Sequence, residues 1–177
     1  MLRLKKWPRP LMIKPLRILG IDPGFGRIGY GLIEQSAGNN WVGVEYGCIE
    51  TNPKESFVER LKDLHAELID LIQKYHPDRM AVEELFFFKN VTTAIQVAQA
   101  RGVILLSAIE NGLAVDEFTP LEIKQAMTGY GRAEKGQMQK IMAMLLGIKE
   151  KIKSDDAADA LAVALTSAQT LWTAKLR

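Results

Sequence analysis

The chain has 177 residues, of which 47% are hydrophobic and 25% are charged, and its formal net charge is +2. Such a composition is ordinary for a soluble globular protein, and the length suffices for one domain with a sizeable core. A single cysteine excludes an intrachain disulfide framework, and no apolar run approaches the roughly 20 residues that span a bilayer. These features predict a cytosolic protein.

Charge is distributed unevenly along the chain. Residues 1–17 carry six basic side chains and no acid, which leaves 17 basic and 21 acidic residues, a net charge of −4, in the rest. Residues 1–15 form a basic, Pro-rich extension that is predicted to be disordered, followed by a single domain over residues 16–173. A simple electrostatic nucleic-acid binder would have a basic body. If this body binds nucleic acid, bound divalent cations could offset its local negative charge.

Three strands are predicted first, separated by short links that favour an antiparallel meander. The first, over residues 16–22, ends in Asp22 and runs into the Pro- and Gly-rich turn of ILGIDPGFGRIGYG. The second covers residues 28–34, and the third is WVGVEYGCIE. Two interpretations of Asp22 stay open on this stretch alone. It either caps the turn through its own backbone or holds a metal or phosphate at a strand end.

Two helices are predicted on either side of a fourth strand. Apolar residues recur with a period near 3.6 between residues 55 and 75, which is typical of an amphipathic helix, and His76-Pro77 stops it. RMAVEELFF then reads as a short buried strand. A long Ala-rich helix follows, with Asn90 as its predicted cap and Gly112 at its end.

The rest of the chain adds one strand and several helices. LAVDEF is the fifth predicted strand, and the capping box TPLE at residues 119–122 predicts the start of a helix. YGRAEKG is predicted to be a loop, followed by a helix to about residue 146. The last helix opens at Ser154. This order of elements predicts an α/β domain.

Four acids stand out against this framework. Asp22 ends the first strand, Glu83 ends the fourth, and Asp156 and Asp159 share one face of the last helix because they are three residues apart. Acids beside a core-facing stripe are costly unless something neutralises them. The alternative is a solvated helix start formed by Asp155, Asp156 and Asp159.

A metal site made from these acids would not be a zinc site. Two histidines and one cysteine show no metal-ligand spacing, whereas a carboxylate set suits hard cations such as magnesium or manganese. Two such ions about 3.5–4 Å apart can activate water and stabilise a leaving oxygen in phosphoryl chemistry.

The motifs LGIDPG, AVEELFF, QARGV and DDAADALAVA, in this order and spacing, resemble the RuvC family of Holliday-junction resolvases over about residues 16–168. The resemblance implies a ribonuclease-H-like fold, a mixed five-stranded sheet with helices on both faces. It also implies two Mg²⁺ or Mn²⁺ ions per active site. The implied catalytic and metal-binding residues are Asp22, Glu83, Asp156 and Asp159. Glu84 is a second candidate in VEEL, but strand alternation points it to the opposite face from Glu83.

The resemblance further implies a homodimer that nicks a four-way DNA junction symmetrically in recombination and repair, and a RuvA–RuvB branch-migration complex as a partner. Predicted DNA contacts are Arg27, Phe86, Lys89, Lys124, Arg132 and Lys135. Phe86 would stack on an unpaired base, and the glycines after Asp22 would let the turn and second strand approach closely. Family members begin a few residues before the first strand, so Met12 is the expected natural start.

Three other classes share parts of this pattern. A YqgF-type nuclease shares the fold and a similar opening, but DAADALA argues against it. A sugar or acyl kinase of the actin-like fold would need a second, adenosine-binding half. A non-catalytic junction-binding module is disfavoured by the presence of all four acids, and a nicking assay would decide it.

Overall fold

The computed structural model describes residues 14–38, 40–85, 91–128 and 135–175. Strands and helices follow each other in the order expected for an α/β domain. In these residues the elements are β1 (Arg17–Asp22), β2 (Arg27–Gln35), β3 (Trp41–Glu50), α1 (Phe57–Tyr75), β4 (Arg79–Glu83), α2 (Val91–Glu110), β5 (Ala114–Phe118), α3 (Pro120–Thr128), α4 (Lys135–Leu145) and α5 (Asp155–Lys175).

The strands form one mixed sheet in the order β3-β2-β1-β4-β5. β1 pairs with β2 and β2 with β3 in antiparallel register, whereas β1, β4 and β5 run parallel. The predicted ribonuclease-H-like sheet is therefore confirmed. Because β1 and β4 are parallel, their last residues, Asp22 and Glu83, lie at one edge of the sheet, which we call the carboxyl edge.

Helices cover both faces of the sheet and create two apolar cores. On one face α1 and α2 bury residues such as Leu64, Leu68 and Ile104, and on the other α5 packs with α3 and α4. α5 is apolar around most of its circumference because it lies between the sheet and two helices. In the parts of the chain that the structure describes, no helix is long and apolar enough to cross a membrane.

Three helix ends follow the predicted local signals, at His76, Thr119 and Ser154, and Ser56 adds a further cap. Ser56 accepts a hydrogen bond from the Glu59 N–H at the start of α1, and His76 ends that helix in the left-handed conformation, with φ of 48°. Thr119 and Glu122 make the reciprocal bonds of the capping box. Ser154 accepts from the N–H of Ala157, as expected for the cap of α5.

Two glycines allow α5 to approach the sheet at backbone distance. A Cβ atom at Gly20 would lie 2.1 Å from the carbonyl oxygen of Ala160, and one at Gly29 would lie 2.1 Å from that of Asp156. No other residue type fits in this space. The sequence-based expectation assigned the glycines to the turn and second strand, which holds for Gly24, where a Cβ would meet the Arg27 carbonyl oxygen at 1.9 Å. The larger role is to seat α5.

Several boundaries differ from the predicted ones. β4 ends at Glu83, so Glu84 and Leu85 lie beyond the strand, and the predicted cap Asn90 lies outside the described residues. Lys135, predicted within a loop, begins α4, because Met138 and Met142 bury their side chains in the core that α5 shares. Lys14, predicted within the extension, contacts the domain through an ion pair with Asp78 at 3.1 Å.

Candidate functional site

Four carboxylates meet at the carboxyl edge. Asp22 is the last residue of β1 and is hydrogen-bonded to Glu83, the last residue of the neighbouring β4. Asp156 and Asp159, in the first two turns of α5, lie close enough to act electrostatically on Asp22. The parallel register of β1 and β4 explains the first pair, and the glycine-mediated approach of α5 brings in the second.

Burial and mutual repulsion change how these acids titrate. Burial, followed by the charges of Glu83, Asp159 and Asp156 and the hydrogen bond to Glu83, raises the pKa of Asp22 to about 8. The pKa of Glu83 is also raised, first by burial and then by Asp159. Without a metal ion, the raised pKa favours the protonated form of Asp22 at neutral pH, and its O–H donates a hydrogen bond to the Glu83 carboxylate.

Arg27 is paired with one of the acids. Its Nε lies 3.1 Å from Oδ2 of Asp156 and 3.5 Å from Oε1 of Glu50, and its Nη2 donates to Oγ of Ser154 at 3.3 Å. Cys48 adds to this group, with Sγ 3.1 Å from the same Ser154 oxygen. Arg27, predicted to contact DNA, thus sits beside Asp156 and offsets part of its charge.

Arg101 on α2 is hydrogen-bonded to the backbone at the end of β4. Its Nε donates to the backbone carbonyl oxygen of Glu83 at 3.3 Å, and its guanidinium also bonds the Glu117 carboxylate on β5. Sequence reasoning used QARGV only as a family motif and assigned this arginine no role. A signal for such a role is present in the sequence. Arg101 is a cation within a mostly apolar, Ala-rich helix, where an unpaired charge would be costly and a buried partner is therefore expected.

The structure separates the neighbouring glutamates Glu83 and Glu84, because only Glu83 belongs to β4. Glu84 follows the strand, its N–H donates to the carbonyl oxygen of Phe118 at 2.8 Å, and its side chain lines a cavity with Arg101 and Glu117. Only Glu83 is hydrogen-bonded to Asp22 among this pair. The assignment of Glu83 rather than Glu84 to the site stays a prediction, which the hydrogen bond to Asp22 supports.

Only some of the predicted DNA contacts belong to the residues that the structure describes. Lys124 is exposed on α3 and lies near enough to Glu83 to lower its pKa against the larger raising effects. Phe86, Lys89 and Arg132 lie outside the described residues, as does the side chain of Lys135. Their roles stay predictions.

The four acids suit a hard divalent cation in their chemistry, because they offer only carboxylate oxygens. Burial and then the charges of the neighbouring acids raise the pKa of Asp22, and a bound cation would oppose both effects. In the described parts of the chain, no three His, Cys, Asp or Glu side chains are already arranged to enclose a metal ion. Binding would have to draw the carboxylates together around it.

Comparison with known proteins gives a consistent result. The family model described as "Crossover junction endodeoxyribonuclease RuvC" matches residues 18–167. Two proteins with this same name are similar to the chain. The one from Halothermothrix orenii is 52% identical over 148 residues, 84% of this chain and 89% of the relative. The one from Moorella thermoacetica is 54% identical over 151 residues, 85% and 90% of the two chains.

A solved structure supports the likeness in three dimensions. The structure titled "T. thermophilus RuvC in complex with Holliday junction substrate" matches with a TM-score of 0.83 and 32% identity. The match covers 90% of this chain and 96% of that one.

Proposed function

The chain belongs to the RuvC family of crossover junction endodeoxyribonucleases, and from this premise we propose that it resolves Holliday junctions by hydrolysing DNA phosphodiesters at the four-acid site. One observation carries the proposal. Asp22, Glu83, Asp156 and Asp159 come from three distant segments of the chain and converge at the carboxyl edge. Retention of all four favours a catalytic protein over a module that only binds junctions.

The metal proposed for this site is Mg²⁺ or Mn²⁺, with two ions per active site. When bound, the ions supply an activated water and charge stabilisation at the departing 3′ oxygen, which leaves 5′-phosphate and 3′-hydroxyl ends. The protein's own part is positional. Asp22 stands on a strand that has a neighbour on both sides, so its backbone is held in place beside Glu83 and the acids of α5. Asp22 must release its proton before it can act as a ligand.

Positive side chains near the acids are proposed to hold the DNA backbone. Lys124 is exposed close to Glu83, which suits contact with a phosphate next to the scissile one. Arg27 is proposed to turn from Asp156 toward phosphate once cations neutralise the acids. Phe86, Lys89, Arg132 and Lys135 complete the proposed contact set.

A homodimer is proposed to bring two such sites to one junction, because paired symmetric nicks require two-fold symmetry. α2 supports this with an exposed apolar stripe. The exposed fractions are 65% for Ile95, 54% for Leu106 and 63% for Ile109, and their spacing puts them on one helix face with Gly102. A Cβ at Gly102 would meet nothing within 4 Å. A mid-helix glycine costs about 1 kcal/mol relative to alanine, and close packing of a second α2 helix at Gly102 would explain it. A RuvA–RuvB complex is the proposed further partner.

Incubation with a synthetic four-way junction, with and without Mg²⁺ or Mn²⁺, tests the proposed activity. We expect paired nicks that depend on the metal, and loss of nicking in Asp156→Asn. Asp155→Asn is a matched control, because Asp155 is the preceding acid of the same helix and binds Gln139 instead. Metal-independent nicking, or equal loss in both variants, would contradict the proposed site.

A further inference from the structure

The segment between α4 and α5 presents a row of lysines. Residues 148–153 read Ile-Lys-Glu-Lys-Ile-Lys, with Ile152 only 1% exposed and Ile148 packed against the same core. Lys149, Lys151 and Lys153 are all exposed. The alternation therefore anchors the segment by its isoleucines and leaves its lysines in solvent.

The start of this segment is held in place. Gly147 ends the preceding helix with φ of 62°, and the N–H of Ile148 donates to the Ala143 carbonyl oxygen at 2.9 Å. The N–H of Gly43 on β3 donates to Leu146, and a Cβ at Gly43 would approach Cδ1 of Ile148 to 2.9 Å. The lysines consequently project from a fixed backbone, which lowers the entropy lost when they bind a ligand.

A fourth lysine joins the row from α4. Lys140, Lys149 and Lys151 line one open cavity of about 550 Å³, in which Glu150 is the only acid among the lining residues. Among the described residues, none of these lysines or Lys153 takes part in an ion pair. These four cations, without an ion pair among the described residues, contrast with the net charge of −4 over residues 18–177.

This row leads to the four-acid site. Gln139, which lines the same cavity, donates to Oδ1 of Asp155 at 2.7 Å and borders a second, smaller cavity together with Asp159. Lys153 is three residues before Asp156. Lys149 is seven positions before Asp156, so Lys149, Lys151 and Lys153 lie within about 25 Å of that acid along the chain.

We propose that Lys140, Lys149, Lys151 and Lys153 form a phosphate-binding track for one duplex arm of the junction, leading away from the active site. The inference rests on the proposed function and extends it from the scissile phosphate to the arm. Neutralisation of phosphates by lysines supplies sequence-independent affinity. Residues 18–177 have a net charge of −4, so a local basic surface would help them to hold a long polyanion beside four carboxylates.

The test compares two variants that lose the same charge. Lys151→Gln/Lys153→Gln removes half of the track. Lys14→Gln/Lys74→Gln removes two exposed lysines near the amino ends of β1 and β4, opposite the carboxyl edge. Junction binding is measured over a range of salt concentrations in Ca²⁺ or chelator, and nicking at saturating protein in Mg²⁺. Thermal melts verify that both variants are folded.

In the track variant, the slope of the logarithm of the binding constant against the logarithm of the salt concentration should become shallower by about one unit per lysine, about two in total. Its nicking rate at saturation should stay that of the wild type, and the control should match the wild type in both assays. In a footprint of the DNA backbone, the phosphates that the variant no longer protects should lie within about 7 base pairs of the nick. This distance follows from the chain reach of about 25 Å between the lysines and Asp156. If the salt slope and the affinity stay unchanged, the lysines do not bind the junction, and the track is wrong. The row would then suit an acidic protein partner instead.

Failure of the proposed function would give a different result. A wild-type protein that binds and nicks no junction contradicts both proposals. A wild type that nicks while the track variant keeps the full salt slope contradicts the track alone.

Discussion

Gly29 and Asp156 are in backbone contact across the sheet–helix boundary: a Cβ at position 29 would lie only 2.1 Å from the Asp156 carbonyl oxygen. Gly29 also pairs with Asp22 in the β1–β2 register. One glycine thus links the strand that carries the first acid to the helix that carries two others. The distance between Asp22 and the acids of α5 depends on this contact.

Gly29→Ala should impair catalysis by displacing α5. The added methyl group must push the Asp156 backbone away, and misplacement by about 1 Å can cost up to about 100-fold in rate. Overpacking should also destabilise the fold by about 1–3 kcal/mol. Junction nicking and urea unfolding measure the two effects. Gly26→Ala is the control, because its Cβ would meet only the flexible tip of Arg60 at 3.3 Å. Full activity in Gly29→Ala would contradict the assigned role.

Asp22→Asn should abolish nicking and leave junction binding intact or tighter, because phosphate contacts supply most of the affinity. Binding by fluorescence anisotropy and nicking on the same junction separate the two effects. Glu84→Gln serves as the control, since Glu84 lies beyond β4 and faces Arg101 and Glu117. Normal nicking by Asp22→Asn would remove this residue from the catalytic set.

The same variant should change how metal-free stability depends on pH. The pKa of Asp22 rises from 3.8 to about 8 on folding. The stability that its proton contributes is therefore complete below about pH 3.8 and is lost as the pH rises through 8. Asparagine does not titrate, so the variant does not lose this stability as the pH rises. In chelator, the free energy of unfolding of the variant minus that of the wild type should therefore increase between pH 5 and pH 9. A difference that stays constant over this range would show that Asp22 is not buried among charges as described.

Arg101→Gln should lower the nicking rate at saturating junction while leaving the dissociation constant nearly unchanged. Arg101 is mostly buried and bonds the Glu83 backbone and Glu117, so it acts as a positioning residue for Glu83. Arg79→Gln is a matched control, since Arg79, at the opposite end of β4 from Glu83, makes a similar ion pair with Asp116 in the middle of β5. That variant should lose stability but keep its rate once folded. Weaker binding with an unchanged rate in Arg101→Gln would contradict the positioning role.

Gly102→Leu should convert the proposed dimer to monomer without unfolding it. The site is open in the single chain, and leucine favours a helix by up to about 1 kcal/mol over glycine. Sedimentation velocity measures the oligomeric state, and circular dichroism verifies the fold. Thr93→Leu is the control, because Thr93 is an exposed residue of α2 on the side opposite Gly102. A Gly102→Leu protein that stays dimeric would place the interface elsewhere.

Local sequence patterns predicted most of the secondary structure because the signals act over a few residues. The alternation in WVGVEYGCIE matches β3 to the residue, and α3 begins at Pro120, within the TPLE box. The four acids were named through the family resemblance, whereas periodicity left Asp155–Asp159 open as a solvated helix start. The start of α4 was wrong, since burial of Met138 and Met142 outweighs the local loop character around Lys135.

The sequence by itself determined the strand and helix order, the acids at the strand ends and the family to which the chain belongs. Only the tertiary structure decided which partners those acids have. Arg27 and Asp156 are 129 positions apart, and neither carries a local signal for the 3.1 Å contact between them. The same holds for Arg101 beneath Glu83 and for the glycines that seat α5. Such pairs arise from the packing of a helix on a sheet, where burial and close approach set the charge balance of the site, and no periodicity along the chain encodes that distance.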